Sequence, residues 1–226
     1  MACIRQRLFL LLIASLVAAG PAAAVTLGQI DDFQDGGTQG WGSGCCNPNP
    51  PLNVADMGPT GAGDHSLMIT STGLGQGGSR FAAFNRIQWT GDYLAAGVLM
   101  IVFDVNNISN IDSEPLQIRV AFNGVGGRIV TAQAVPVSPG SGWQTIGFSI
   151  EPGDLVVARG GNVSATLASV TELRIISAVN PTFTGDSILA NGLVDNVTAV
   201  PEPSEIFLLV TSLATVSLLV VAKRSA

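Results

Sequence analysis

The sequence has few of the side chains on which most enzymes depend. Its 226 residues include one histidine, His65, and one lysine, Lys223, and only 12% are charged, against about 25% in an average globular protein. A Ser-His-Asp triad would need His65, and no Gly-x-Ser-x-Gly turn surrounds any serine. A single histidine also excludes zinc sites with two histidine ligands. The sequence therefore argues against an enzyme, although its 16 acidic residues leave a pair of glycosidase carboxylates open.

The N-terminus has the features of an export signal. Arg5 and Arg7 precede an uncharged apolar stretch, residues 8–19, and three alanines ending at Ala24 follow it. As a helix, about 12 residues would span only about 18 Å, which is less than the ~30 Å hydrocarbon core of a membrane. We therefore predict a secretory signal peptide at residues 1–24, cleaved after Ala24.

The C-terminus contains a second apolar stretch that is longer. Residues 206–222 carry no charge, and Lys223 and Arg224 follow them directly. A helix of about 17 residues is roughly 25 Å long, at the short limit for a membrane span, and is too long for one ordinary strand. The basic pair is the topology signal expected at the cytoplasmic end of a span. The sequence predicts a C-terminal transmembrane helix, and a buried strand is the less favoured alternative.

A short motif precedes this span. Pro201, Glu202 and Pro203, the apolar stretch and the basic tail at 223–226 follow one another in fixed order. Together, residues 200–226 resemble the PEP-CTERM sorting signal of exosortase substrates. The resemblance implies a Gram-negative, exopolysaccharide-producing bacterium and two partners, the inner membrane and an exosortase-type membrane protease. The span would anchor the precursor until that protease removes the tail, and the product would reach the cell surface or extracellular matrix.

The remaining region, residues 25–200, is acidic and reads as one all-β domain. Residues 25–205 hold all 16 acidic residues but only six of the ten basic ones, a formal charge of −10 that argues against a nucleic-acid partner. Short alternating segments separated by glycine and proline clusters indicate strands, and residues 36–63 form the one long loop. Only residues 165–170 look helical. We predict a single jelly-roll-like β-sandwich. The predicted strands are 26–33, 66–70, 81–85, 98–105, 116–122, 128–134, 144–150, 172–177 and 193–200.

The ends of this domain resemble those of known sugar-binding folds. The segments 31–36, 40–41, 66–69, 170–175 and 194–197 are similar to the opening and closing strands of galactose-binding-like and carbohydrate-binding-module jelly rolls. That resemblance implies that the first and last strands are neighbours. It also implies a structural calcium ion, whose ligands would come from Asp32 or Asp35, Asp64 and Asp195. The alternative is that these acids cap strand ends and face water.

Aromatic residues are scarce, so few candidates exist for stacking on a sugar ring. Trp41, Trp89 and Tyr93 are the candidate glycan contacts, and the polar turn at 89–93 suggests that one of them is exposed. The alternative is that all three lie in the core, where we expect Trp143.

Two adjacent cysteines remain after signal cleavage. Cys45 and Cys46 lie in a loop rich in glycine, asparagine and proline. In an oxidising compartment they would form a vicinal disulfide, or each would pair with another chain.

The sequence thus predicts an exported, non-enzymatic cell-surface or matrix protein associated with exopolysaccharide or biofilm, with glycan binding as a further hypothesis. The first alternative is a periplasmic structural protein that stays anchored in the membrane. The second is an enzyme that acts on glycans. No cofactor is implied other than the calcium ion.

Overall fold

The structure, a computed structural model, describes residues 24–75 and 77–201. Several predicted features lie outside these residues. They are the signal peptide apart from Ala24, the span at 206–222, Glu202 and Pro203 of the sorting motif, and the basic pair Lys223 and Arg224. Within the two described ranges, no helix combines the length and the apolar character that crossing a membrane requires.

The described chain is nearly all β-strand. Its one α-helix, α1, has five residues, Val163–Leu167, and Asn162 caps it by accepting a hydrogen bond from Ala165 N–H. A single 3-10 turn covers Pro152–Asp154. The strands are β1 (Ile30–Asp31), β2 (Trp41–Gly42), β3 (Leu52–Val54), β4 (Ser66–Thr72), β5 (Ala82–Asn85), β6 (Met100–Asn107), β7 (Leu116–Gly124), β8 (Gly127–Thr131), β9 (Val135–Val137), β10 (Gln144–Ser149), β11 (Leu155–Gly160), β12 (Val170–Ser177) and β13 (Leu189–Val200).

The strands form two antiparallel sheets. The six-stranded sheet has the order β10-β6-β13-β4-β3, and β1 pairs with the far end of β13. The seven-stranded sheet has the order β11-β8-β7-β12-β5-β2, and β9 pairs with the start of β7. Ile30 lies opposite Thr198 and Asp31 opposite Val197, so the first and last strands are neighbours, as the fold resemblance implied.

The core lies between the two sheets because strand side chains alternate between faces. On β6, Ile101, Phe103 and Val105 are fully buried, whereas the residues between them are partly exposed. Leu116, Ile118, Val120 and Phe122 of β7 join the same cluster from the opposite sheet. The predicted fold class, an all-β jelly-roll-like sandwich, is confirmed.

The strand boundaries differ from the predictions where strands are short or at edges. The predicted loop at 36–63 contains β2 and β3, which add two and three residues to the sheets. β9 and β11 were not predicted. Pro136 interrupts the pattern of β9, which is allowed because β9 lies at an edge. β11 is exposed along most of its length and therefore shows no alternation.

Candidate functional site

The outer surface of the seven-stranded sheet collects the positive charge of the domain. Four strands of this sheet carry one arginine each, and their only acidic residue is Glu172 on β12. Strands of the six-stranded sheet carry three aspartates and no basic residue. Two more arginines lie just before and just after β5. Their positions continue the alternation of this strand, on the same side as its outward residues. We call this surface the arginine face; its arginines are Arg80, Arg86, Arg119, Arg128, Arg159 and Arg174, which are all the arginines of the described residues.

Arginines and phenylalanines alternate across the centre of the arginine face. The Arg86 guanidinium lies 4.2 Å from the centre of the Phe84 ring, and Arg174 lies 5.4 Å from that ring on the neighbouring strand. Arg174 also lies 4.1 Å from the ring of Phe183, and Arg128 lies 4.7 Å from it. Each contact is a cation–π interaction, which favours a guanidinium against the face of an aromatic ring. These contacts therefore hold the guanidinium groups of Arg86, Arg128 and Arg174 in fixed orientations.

Glu172 forms ion pairs with two of these arginines. Its side chain is only 5% exposed, and both Arg86 Nε and Arg174 Nε donate to its carboxylate. Burial lowers the pKa of Arg174, whereas its hydrogen bond to Glu172 opposes that shift. Among residues 24–75 and 77–201, these two contacts are the only ion pairs. No carboxylate in this part of the chain therefore pairs with Arg80, Arg128 or Arg159.

Arg119 has a structural role beneath the face. Its buried guanidinium donates to the carbonyl oxygens of Thr131 at 2.7 Å, Ala132 and Val179 at 2.8 Å, and Ala178 at 2.9 Å. These bonds join the end of β8 to the segment that follows β12. That segment carries Phe183 over the sheet, where it packs in a second apolar cluster with residues of β7, β8 and β12.

Two clefts open on the arginine face. The larger has a volume of about 360 Å³ and borders the middle of β5 and β12. Residues that line it include Ser43, Asn47, Arg80, Phe84, Arg174 and Thr184. The smaller has a volume of about 240 Å³ and is lined by Asn123, Gly127, Arg128, Arg159 and Gly160. Neither set of lining residues contains an acidic side chain.

A cluster of carboxylates surrounds Asp195 on the other sheet. Asp195 is fully buried, its Oδ1 accepts from Asn196 N–H at 2.8 Å, and its Oδ2 has no hydrogen-bond partner among the described residues. Burial, followed by the charges of Asp64, Asp104 and Asp32, raises the pKa of Asp195 from 3.8 to about 7. A buried carboxylate oxygen without a donor, surrounded by other carboxylates, has the electrostatic character of a cation site.

This cluster agrees only in part with the calcium ligands predicted from the sequence. The charges of Asp32 and Asp64 act on Asp195, and so does that of Asp104, which lies opposite Asp195 on β6 and was not predicted. Asp35 is exposed, and its carboxylate accepts from Gly37 N–H instead. Within the described ranges, no three His, Cys, Asp or Glu side chains stand close enough together to hold a metal ion. The buried oxygen and the local charge fit a divalent cation, whereas the side chains as placed do not complete its coordination.

The predicted glycan contacts are wrong, because the three aromatic side chains are buried. Trp41 is 3% exposed, and Trp89 and Tyr93 are fully buried. Both indole N–H groups donate to Oδ2 of Asp31, at 2.7 and 2.6 Å, so one buried carboxylate satisfies two tryptophans. Burial raises the pKa of Asp31, although these hydrogen bonds oppose the shift. Buried rings cannot stack on a sugar. Trp143, expected in the core, is instead half-buried.

The two cysteines border the larger cleft. Cys45 and Cys46 are exposed and are free thiols in this structure, without the predicted bond between them. Cys45 lines the cleft, and its thiol raises the pKa of the adjacent Cys46.

Comparison with known proteins identifies the fold but not a family. No protein-family model matches the chain, and no curated protein resembles it significantly. A solved exo-beta-agarase contains a similar fold, with a TM-score of 0.56 and 11% identity over 79% of this chain. The match covers 26% of the agarase chain, so the agarase has a large part with no counterpart here.

Two carbohydrate-binding modules are also similar in fold. A family 11 module from Clostridium thermocellum, solved with a beta-1,3-1,4-mixed-linked tetrasaccharide, has a TM-score of 0.49 and 17% identity over 78% of this chain and 97% of its own. A family 22 xylan-binding domain from Paenibacillus barcinonensis has a TM-score of 0.47 and 16% identity over 79% of this chain and 99% of its own. At these identities the likeness concerns the fold alone.

The sequence analysis did not find the arginine face. Its residues come from six separate places in the chain, and no local motif joins them. One available signal was compositional, since residues 25–205 contain only six basic residues and four of them fall within strands. To see that those four arginines share one surface, one must know which strands are neighbours in the sheet.

Proposed function

We propose that this protein is an exported, non-enzymatic glycan-binding protein of the cell surface or extracellular matrix, and that it binds glycan on the arginine face. The larger cleft on that face carries the proposal. Its volume of about 360 Å³ lies within the range of ligand sites, about 300–1,000 Å³.

The lining of this cleft suits a sugar chemically. Arg80 and Arg174 offer planar N–H donors to hydroxyl groups, and Ser43, Asn47 and Thr184 add short polar groups. Ala82 and Phe84 add apolar atoms to the wall of this cleft. Two carbohydrate-binding modules share the fold in outline, which agrees with the proposal. The proposal itself rests on the cleft.

The binding test uses the full chain in non-ionic detergent against a panel of neutral and acidic polysaccharides. Thr184→Trp fills the cleft with an indole and should abolish binding. The matched control is Ser138→Trp, which places the same side chain on an exposed loop residue after β9. Retention of full affinity by Thr184→Trp, or no binding to any polysaccharide by the wild type, would refute the proposed site.

The export and sorting parts of this proposal are supported by the order of motifs in the sequence. They comprise the signal peptide at 1–24, the Pro201–Pro203 motif and the span that ends before Lys223. Mass spectrometry of the mature protein tests them. A chain that begins at Val25 and ends near Pro203 supports removal of both ends, whereas a chain that ends at Ala226 supports the permanently anchored alternative.

We also propose a structural calcium ion at the carboxylate cluster. Asp195 would be its central ligand, and the side chains of Asp64, Asp104 and Asp32 would move towards the ion to supply further oxygens. The buried Oδ2 of Asp195, which lacks a donor among the described residues, supports this proposal. Such an ion would join β13 to β6 and to the loop before β4. Its test is the first prediction of the Discussion.

A further inference from the structure

The smaller cleft contains a close pair of like charges. Arg128 on β8 and Arg159 on the edge strand β11 are directly opposite each other in the register of these strands. Like charges in directly opposed positions destabilise a sheet. Neither arginine has a carboxylate within ion-pairing distance among the described residues. The structure therefore places an unfavourable pair on its surface without a compensating acid.

Two glycines let the backbones of β8 and β11 approach closely beside these arginines. Gly127 and Gly160 are paired in the same register and line the cleft, with backbone φ angles of +118° and +94°. A Cβ atom on Gly127 would lie 2.3 Å from the carbonyl oxygen of Arg159, and one on Gly160 would lie 2.7 Å from Cα of Gly127. Other residues at these positions would therefore displace the backbone on which both arginines stand.

From this geometry we infer that the glycan is acidic and that its anionic group, a carboxylate or a sulfate ester, binds between Arg128 and Arg159. The inference rests on the proposed function, because it assigns the chemistry of the ligand that the arginine face binds. Guanidinium groups donate two parallel hydrogen bonds to such oxyanions, and an anion between the two arginines would replace their repulsion with attraction. Asn123, opposite Arg128 on β7, adds an amide to the same cleft.

The acidity of the whole domain does not oppose this assignment. Packed sheets are separated by about 10 Å, and charges are screened within about 8 Å at physiological ionic strength. Exposed aspartates on the outer side of the six-stranded sheet are therefore more than one Debye length from an anion on the arginine face, and salt in the solvent weakens their repulsion of it. On that face, the strands contribute four arginines and one glutamate.

An acidic glycan explains the face better than a nucleic acid does. Single-stranded nucleic acids need aromatic platforms on which bases stack. On this face Phe183 is buried, and the Phe84 ring is covered by Arg86. The arginines also occupy separate clefts instead of one continuous track for a phosphate backbone.

The experiment measures binding of the full chain, in non-ionic detergent, to two matched pairs of polymers. Dextran sulfate is compared with dextran, and polygalacturonate with its fully methyl-esterified form, so that each pair differs only in charge. We expect binding to at least one charged polymer, weakening as salt is raised, and little binding to either neutral partner. The polymer that binds more tightly distinguishes sulfate from carboxylate.

Variants then locate the site. Arg159→Gln and Arg128→Gln should each weaken binding by about tenfold or more, as expected for the loss of a charge-assisted hydrogen bond. Arg159→Lys keeps the charge and should retain part of the affinity. Asn110→Asp, in the exposed loop after β6, makes the same change in net charge and should have no effect. Unchanged thermal unfolding shows that Arg159→Gln, at an exposed position, leaves the fold intact.

The remaining outcomes separate this inference from the proposed function. If the neutral polymers bind as well as the charged ones and Arg159→Gln changes nothing, the acidic-glycan assignment is wrong and glycan binding stands. If no polymer binds, both fail. If single-stranded DNA binds as tightly as dextran sulfate and responds to the same variants, the face is a general polyanion site and the assignment to glycans is overturned.

Discussion

Replacement of Asp195 by asparagine should stabilise the metal-free protein above neutral pH. Asparagine keeps an oxygen that can accept from Asn196 N–H, as Asp195 Oδ1 does at 2.8 Å. It removes the negative charge from a side chain that is fully buried and that has Asp32, Asp64 and Asp104 as electrostatic neighbours. The variant therefore relieves both the burial of a charge and its repulsion by three carboxylates.

The size and sign of the effect follow from the raised pKa of Asp195. This carboxyl group releases its proton near pH 3.8 in the unfolded chain and near pH 7 in the folded protein. Between these values the folded state holds more protons than the unfolded state, so stability falls as pH rises, and the loss is complete above pH 7. A shift of about three pKa units, at 1.36 kcal/mol each, sets a ceiling of about 4 kcal/mol. With screening by water we expect about half of it, ~2 kcal/mol.

The assay is thermal unfolding of the full chain in detergent and EDTA, followed by tryptophan fluorescence. Wild type and Asp195→Asn should unfold at similar temperatures at pH 4. At pH 8 the variant should unfold about 4–8 °C higher, since 1 kcal/mol shifts the Tm of a domain of this size by about 2–4 °C. Asp35→Asn is the matched control, because Asp35 is exposed and holds only Gly37 N–H. It should follow the wild type at both pH values.

Calcium adds a second, independent arm to this assay. At pH 8, calcium at 100 times its dissociation constant should stabilise the wild type by about 2.7 kcal/mol and should leave Asp195→Asn unchanged. Absence of any calcium effect on the wild type would exclude the proposed ion. The electrostatic reasoning has its own test. If Asp195→Asn is no more stable than the wild type at pH 8 in EDTA, the buried charge of Asp195 does not destabilise the folded protein.

Three further substitutions test the packing around the sites. Asp31→Asn should destabilise the domain by about 2 kcal/mol, because a neutral amide oxygen accepts more weakly than a carboxylate from the two indoles and its NH2 group would face the Gln88 Nε2 donor; urea unfolding measures this loss. Arg119→Lys should cost at least about 2 kcal/mol, since an ammonium group cannot reach all four carbonyl oxygens, and faster proteolysis of the segment after β12 would report it. Gly126→Ala should destabilise by about 1–3 kcal/mol because its Cβ would lie 2.4 Å from a backbone oxygen, whereas Gly161→Ala, with open space around it, should unfold like the wild type.

The sandwich could be predicted from the sequence because its long strands alternate regularly. β6 and β10 have the period-two pattern that one buried and one exposed face impose, whereas β7 is buried on both faces at residues 118–122. The predicted ranges of all three strands overlap the observed ones. The burial of Trp41 and Trp89 could not be predicted in the same way. It depends on Asp31, whose carboxylate accepts from both indoles, and no pattern within one strand shows that a distant acid lies beside two tryptophans.

The carboxylate cluster and the smaller cleft both lie where this alternation breaks. β13 changes register between Asp195 and Thr198, where Asn196 has a positive φ of 53°, and the break follows directly on the pairing of Asp195 with Asp104. β11 changes register between Val157 and Arg159. If the register had continued unchanged after Val157, Ala158 would lie opposite Arg128 in place of Arg159.

A β-bulge redirects side chains at a local cost in pairing, so bulges recur at functional sites. In this domain one bulge adjoins the buried carboxylate of Asp195, and the other aligns Arg159 with Arg128. Each bulge therefore adjoins a concentration of one sign of charge. The two proposed ligands, calcium at the first place and an acidic sugar at the second, would each neutralise the charge that gathers beside a bulge.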